Sequence, residues 1–313
     1  VIEAGAVGAE ILTEALLRAA QAEAVESILT AVAAGFEPPP RQTVSEWADK
    51  HRILTKRETP EPGRWKTTRT PYLREIMDCL SIDSPIESVV FLKAAQIGGS
   101  EVGNNWLGYI LSHPPAAAPT MVVLPTVEKA RQMSRQRLEP LISGVPAILE
   151  SVQPKRSRDG GNTMLMKEFA NGDGLLVLTG ANSAAGLRAM SARFLFPDEC
   201  EAYPSDCEGE GPPLEILGAR SSTFGRKGKI YIPSTPLEKE GSVIEPLFLE
   251  TDQRRYFVPC PDCGHKDWIR WSRIKWDGEH AEDAKPATAA LLCEACGVLI
   301  PESRKPWFLA EEN

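Results

Sequence analysis

The chain has 313 residues, 42% of them hydrophobic and 25% charged, a composition that fits a folded globular protein and excludes a collagenous or wholly disordered one. No run of 18 apolar residues occurs, so neither a membrane-spanning helix nor a membrane partner is expected. The net charge of −8 excludes a globally basic nucleic-acid coat, although a local basic patch on an acidic chain can still hold phosphates.

Residues 9–34 are rich in Ala and Leu and contain no Gly or Pro, which predicts a helix that Pro38-Pro39-Pro40 ends. Residues 1–40 therefore read as a helical arm, suited either to docking a partner or to packing on its own domain. Thr43-Val44-Ser45-Glu46 spells a capping box for a short helix to His51, and Pro71 opens a helix to Leu80. Strands are expected over 86–92, 120–124, 175–179, 193–196 and 229–232, with helices over 101–111 and 127–142. Near-continuous apolar strands spaced by helices predict an α/β domain over 41–255, with a mainly parallel sheet flanked by helices. Beyond residue 255 the chain turns Trp-rich and Cys-paired, which marks a small second module over 256–313.

The strand over 86–92 leads into Lys93-Ala94-Ala95-Gln96-Ile97-Gly98-Gly99-Ser100 and then a helix. Against the phosphate-loop pattern G-x-x-x-x-G-K-[ST], Gly98 holds the second Gly position and Ser100 the hydroxyl position. Gly99 stands where the lysine belongs, and Lys93 stands at the first Gly position. Strand, tight loop and helix N-terminus together point backbone N–H groups at an anion. A lysine moved to the first position still reaches β- and γ-phosphates, and Ser100 suits a Mg²⁺ ligand. By pattern alone the same residues also make an ordinary Gly-Gly turn. About a hundred residues on, an apolar strand ends in Pro197-Asp198-Glu199. Asp198 then suits the Mg²⁺ shell and Glu199 suits a general base for the attacking water. Pro233-Ser234-Thr235-Pro236 ends the strand over 229–232 with small hydroxyls, fit for sensing a γ-phosphate or for a plain turn.

Four of the seven cysteines form two C-x-x-C pairs, Cys260/Cys263 and Cys293/Cys296, each followed by a turn glycine, Gly264 or Gly297. Such knuckles predict four thiolates around one tetrahedral Zn²⁺, in a reducing compartment. Four cysteines leave no open coordination position, so the metal is expected to be structural. His265 reads as a surface residue, and Trp268, Trp271 and Trp276 as the small core of the module, with base stacking as the other use of the rings. Basic clusters occur at Lys155-Arg156-Ser157-Arg158 and Arg226-Lys227-Gly228-Lys229, fit for backbone phosphates or for solvated loops.

These elements, in this order, resemble the large terminase subunit of tailed phages, in particular the lambda-type GpA family. The resemblance rests on Glu46-Trp47-Ala48-Asp49, Gly63-Arg64-Trp65, Thr70-Pro71-Tyr72, the segment from Lys93 to Glu101, and Leu124-Pro125-Thr126. It continues through the segment 179–188, Asp198-Glu199, Ser234-Thr235-Pro236 and Cys260-Pro261-Asp262-Cys263-Gly264, and covers about residues 40–313. It implies a P-loop NTPase fold of the ASCE type and an ATP-driven motor that packages double-stranded DNA into a procapsid. By position it implies Lys93 as a displaced Walker A lysine and the residues from Ala94 to Glu101 around ATP and Mg²⁺. Asp198 and Glu199 would be the Walker B pair, and Ser234 and Thr235 the motif coupling hydrolysis to DNA movement. Pro60 stands where the lambda branch places an aromatic residue linked to adenine, so Arg64, Trp65 and Tyr72 are the adenine candidates. Gln96 stands where some relatives carry Arg, which leaves Arg188 as the candidate arginine finger, in cis or from a neighbouring subunit.

The resemblance further implies a small terminase subunit that engages the N-terminal helix, a portal and procapsid, a homo-oligomeric ring, and action in the host cytoplasm. A nuclease domain of RNase H type is expected beyond this chain, so DNA cleavage is not expected of these residues. Two other readings share part of the pattern. A non-enzymatic DNA-binding or assembly module would keep the fold with a degenerate loop. A helicase-type ATPase would share Glu199 but needs a second RecA-like domain, for which residues 240–313 are too short and too Cys-rich.

Overall fold

The computed structural model describes residue 18 and residues 21–29, 41–56, 59–152, 162–170, 172, 174–237, 240–278 and 282–310. The chain divides into two compact units, Val1–Arg41 and Gln42–Asn313. In the first, residues 21–29 are helical and exposed, while the rest of the helix expected over 9–34, apart from Arg18, lies outside the described residues. Lys155, Arg156 and Arg158 lie outside them as well. No helix among the described residues is long and apolar enough to cross a membrane.

The second unit opens with α1 (Val44–His51), whose capping box closes as the sequence predicts. The Glu46 N–H donates to Thr43 Oγ1, and the Thr43 N–H donates to Glu46 Oε2 at 2.9 Å. The helix buries Val44, Trp47 and Ala48. A two-stranded ladder follows, β1 (Ile53–Leu54) with β2 (Gly63–Arg64), and then α2 (Arg74–Cys79). The main sheet comprises β3 (Ser88–Leu92), β4 (Thr120–Leu124), β5 (Met166–Glu168), β6 (Leu175–Gly180), β7 (Phe194–Pro197) and β8 (Lys229–Ser234). Their spatial order is β3-β8-β7-β4-β6-β5, parallel throughout except for β5 against β6.

The strand alternation sorts side chains to two covered faces. Val122, Leu124, Phe194, Phe196 and Tyr231 point into the larger core, with Trp47, Met77 and Trp106. Met121, Val123 and Leu195 point into a second core with Ala184, Leu187 and Leu217. The long helix α3 (Gly99–Ser112) lies in the larger core and buries nearly its whole circumference. It is followed after β4 by α4 (Val127–Met133), a wide π turn (Ser134–Leu138) and α5 (Glu139–Gly144), so the helix expected over 127–142 is present but interrupted. Edge strand β5 was not expected. It is three residues long and pairs with β6, too short to leave a periodic trace.

The cysteine-rich segment forms two small antiparallel sheets. One pairs β9 (Phe257–Pro259) with β10 (Lys266–Trp268), and the other orders β11 (Ile274–Asp277), β12 (Lys285–Leu292) and β13 (Leu299–Pro301). Its core is Val258, Cys260, Leu291, Cys293, Ile300 and Phe308. This corrects the reading of the tryptophans as that core. Trp271 is 78% exposed and packs on Trp276, also exposed, at 5.6 Å between centroids. Trp268 lies under the guanidinium groups of Arg255 and Arg270. Phe308 is the aromatic ring that this core holds, with aliphatic groups and two of the cysteines around it.

The closest packing in the larger core is at Gly103 of α3, where an added Cβ would fall 2.0 Å from Phe196 Cζ. Alanine favours helix over glycine by about 1 kcal/mol, but overpacking typically costs about 1–3 kcal/mol. Gly103→Ala is therefore expected to destabilise by up to about 2 kcal/mol, read from the midpoint of urea unfolding; a stabilised variant would contradict this packing.

Candidate nucleotide and metal sites

Strand register brings the candidate residues together. Leu92 of β3 stands beside Ser234 of β8, and Pro197 of β7 beside Val123 of β4, so the loops leave one carboxyl edge of the sheet. In open parallel sheets this edge is where ligands bind. The turn after β7 is pinned on both sides: the Asp198 N–H donates to Val123 O at 2.9 Å and the Glu199 N–H to Pro233 O at 3.0 Å. Glu199 is held in the left-handed region at φ 54°, and Gln96, in the loop between β3 and α3, at φ 62°. Non-glycine residues held there store strain, a recurrent property of functional turns.

The Lys93 side chain is buried and crosses the loop. Its Nζ donates to Glu199 Oε1 at 2.9 Å and to Thr235 Oγ1 at 3.0 Å. Its stem lies over Gly99, where an added Cβ would fall 2.4 Å from Lys93 Cδ. The displacement is thus reciprocal: with the lysine at position 93, position 99 has to be empty of side chain. Gly98, at φ 91°, is the N-cap of α3 and offers no side chain to the first turn. Residues Ala94, Ala95 and Gln96 are exposed, and Ile97 and Gly98 half-buried.

Ser100 Oγ donates to Asp198 Oδ2 at 3.0 Å. The other carboxylate oxygen, Oδ1, is buried with no hydrogen-bond partner among the described residues. Burial, and then the charge of Glu199, push the Asp198 carboxyl up to about 7. Ser234 is fully buried and its Oγ accepts the Glu201 N–H at 3.1 Å. Three groups here were not foreseen in the sequence. Tyr231 donates to Gly99 O at 2.9 Å, Tyr203 donates to Val123 O at 2.7 Å, and the buried Arg52 reaches Glu101 Oε2 at 3.2 Å. Tyr231 and Tyr203 read as ordinary core residues, and Arg52 acts across 49 positions of sequence.

Other candidates stand apart from this network. Glu101, expected around ATP and Mg²⁺, is bonded to Arg52, Asn104 and Arg137. Arg188 forms a half-exposed pair with Glu210 at 2.7 Å. Trp65 is buried in the larger core and donates to Thr67 Oγ1 at 3.1 Å. Arg64 is exposed and bonded to Lys50 O, and Tyr72 packs edge-on against Tyr256 at 5.9 Å. Arg226, 90% exposed, faces Glu87 at 3.4 Å, and Lys227 is exposed. Lys229 leaves that basic cluster: it is buried, donates to Ser84 O at 2.9 Å, and burial pushes its ammonium down to about 8.

The four cysteine sulfurs of the second module lie within 4.8 Å of one another. Cys260 and Cys296 are 3.8 Å apart and Cys263 and Cys293 3.7 Å. Zn–S bonds of about 2.3 Å in a tetrahedron give sulfur–sulfur edges of about 3.8 Å. Gly264 and Gly297, at φ 70° and 76°, make the turns after each pair. The N–H groups of Cys296 and Ala295 lower the Cys293 thiol to about 6. His265 is exposed, as expected.

The family model described as phage terminase large subunit gpA, ATPase domain, matches residues 59–312. The chain is 31% identical over 289 residues to the terminase large subunit of Enterobacteria phage P21, covering 90% of this chain and 43% of that protein. It is also 31% identical over 269 residues to the terminase large subunit of Escherichia phage lambda, covering 83% and 40%. The chain thus spans less than half the length of these relatives. Among solved structures, the large terminase of bacteriophage HK97 is similar with a TM-score of 0.48 and 11% identity, over 63% of this chain and 38% of that one.

The raised Asp198 carboxyl fixes the sign of a pH dependence. Its folded value, about 7, exceeds the unfolded value near 4, so the native state keeps a proton that the unfolded chain releases. Stability is then lost as pH rises from about 4 to about 7. Asp198→Asn is expected to be more stable than the parent at pH 8 in Mg²⁺-free buffer, by up to about 4 kcal/mol, with a flatter profile below pH 7. Melting curves across pH check this, and a variant less stable than the parent at pH 8 contradicts it.

Proposed function

The chain belongs to the phage terminase large subunit family, through its gpA-type ATPase domain, and on that premise we propose that it hydrolyses ATP to drive double-stranded DNA into a procapsid. The observation that carries the reading is the ion pair between Lys93 and Glu199, two groups 106 residues apart that meet at the carboxyl edge of the sheet. The triphosphate would lie over the loop from Lys93 to Ser100, against the uncapped first turn of α3. Lys93 would exchange Glu199 for phosphate oxygens, which frees the Glu199 carboxylate to take a proton from the attacking water. Thr235, sharing the same ammonium, would register that exchange at the end of β8, and the buried Ser234 would carry it to the turn at Glu201.

Mg²⁺ fits Ser100 and Asp198, hard oxygen donors of which Asp198 Oδ1 is buried and unpartnered. Bound there it would neutralise charge on the transferring phosphoryl group. Arg188 is exposed enough to act on a neighbouring subunit's nucleotide in a ring, once released from Glu210. Arg64 and Tyr72 are the more accessible groups for adenine, since Trp65 is enclosed. The four-cysteine module is proposed to hold structural Zn²⁺, supported by sulfur spacings that match a tetrahedral edge. Residues 1–40 would dock the small terminase subunit, 41–255 form the motor and 256–313 the zinc-ribbon-like module. Arg226 and Lys227, with Lys155, Arg156 and Arg158 in sequence, are proposed DNA contacts. Portal engagement in the host cytoplasm, and a nuclease domain in the full-length protein, follow from the same family.

Two experiments test this. A slowly hydrolysed ATP analogue with Mg²⁺, at a hundred times its Kd, is expected to stabilise the chain by about 2.7 kcal/mol. Lys93→Ala should abolish the shift, while Glu199→Gln should keep it and lose hydrolysis. Hydrolysis at the parental rate in both variants would refute the assignment, and a chain with no shift would favour the non-enzymatic module. For the metal, elemental analysis should find one Zn²⁺ per chain, and Cys293→Ser or chelation should lower the melting temperature. A chain that stays equally stable without zinc sinks that part of the reading.

A further inference from the structure

The helix that follows β4 takes no part in the nucleotide network, yet its surface chemistry is unusual for this chain. From Val127 to Leu138 the exposed positions are Glu128, Lys129, Arg131, Gln132, Arg135 and Gln136. Three cations stand against one anion in a chain of net charge −8, a local reversal of sign. The pair between Arg131 and Glu128 is 3.6 Å long, with both side chains largely in water, so it is weak and readily exchanged. Lys129 Nζ and Gln132 Oε1 are 3.3 Å apart, and Gln132 donates to Gln136 at 3.2 Å. Arg135 rests its Nε on Met164 Sδ at 3.5 Å. The outer face is thus a strip of charged and amide donors without apolar side chains.

The inner face ties that strip to α3, the helix that follows the loop from Lys93 to Ser100. Ala130, Ser134 and Leu138 are buried, and the π turn over Ser134–Leu138 adds a residue to the helical turn. Arg137 is thereby directed inward, 3.4 Å from Glu101 Oε1, one residue beyond Ser100 on α3. Arg131 and Arg135 stand about one helical turn apart on the outside.

We propose that Lys129, Arg131 and Arg135, with Gln132 and Gln136 between them, lie along the phosphate backbone of duplex DNA. The inference rests on the packaging reading for the identity of the polyanion. Contacts of this kind hold the duplex without reading its sequence, and each neutralised phosphate steepens the salt dependence of binding. The pair of Arg137 with Glu101, and the burial of Ala130, Ser134 and Leu138, hold the strip beside α3.

The test uses the full chain and a fluorescein-labelled duplex of arbitrary sequence, followed by anisotropy between 50 and 200 mM KCl. The double variant Arg131→Glu/Arg135→Glu is expected to bind at least tenfold more weakly, with a log K against log salt slope shallower by about two. A charge-matched control, Arg304→Glu/Lys305→Glu on the exposed surface of the cysteine-rich module, is expected to bind as the parent does. Unchanged affinity in the first variant overturns the assignment and leaves an acidic protein as the partner of this face. Equal losses in both variants also overturn it, because they report net charge alone. The analogue-dependent melting shift on the same samples separates the two proposals: a parent that shows the shift but binds no duplex overturns only this one.

Discussion

The buried side chain of Lys93 crosses its own loop to reach Glu199 and Thr235, and most of the carboxyl edge is arranged around that path. The Lys93 stem occupies the space over Gly99, so a residue with any side chain there would displace it. Its ammonium, buried, needs anionic or hydroxyl partners, since an unpaired buried charge costs several kcal/mol. Glu199 and Thr235 meet that need, and both are in reach because β8 lies between β3 and β7. The strand order and the position of one ammonium are therefore a single structural fact.

The same edge carries an electrostatic tension. Asp198 and Glu199 are consecutive carboxylates, and Lys93 pairs with only the second. Asp198 is left buried beside a like charge, with a Ser100 hydroxyl on one oxygen and nothing on the other. A group in that state is unfavourable in the free protein and well disposed to a divalent cation, the usual trade of stability for function. The left-handed backbone at Glu199 belongs to the same trade: its two flanking hydrogen bonds, to Val123 and Pro233, over-determine a turn that would otherwise relax.

Much of the local architecture was legible because it is written at short range. The capping box at Thr43 and Glu46, the apolar runs of β4 and β7, and the glycines after each cysteine pair are patterns over four to eight residues. The pairing of loop and Asp-Glu turn was legible from their residue types and order. Other expectations failed where packing overrode composition. Lys229 reads as part of a basic surface run, but three carbonyls of the segment before β3 draw it inside. Trp271 and Trp276 read as core, but they are exposed, and Val258, Leu291, Ile300 and Phe308 fill the core with Cys260 and Cys293.

By itself, then, the sequence determined the elements, the displaced lysine, the Asp-Glu turn and the four-cysteine spacing, because each depends on backbone propensity and residue chemistry within a few positions. Only the tertiary structure decided the strand order, the sharing of Lys93 between Glu199 and Thr235, the unpartnered oxygen of Asp198, and the inward turn of Arg137 that leaves a basic face outside. These are contacts across 36 to 142 positions. No local periodicity encodes them; they follow from which strands lie side by side and which side chains the shared core can hold.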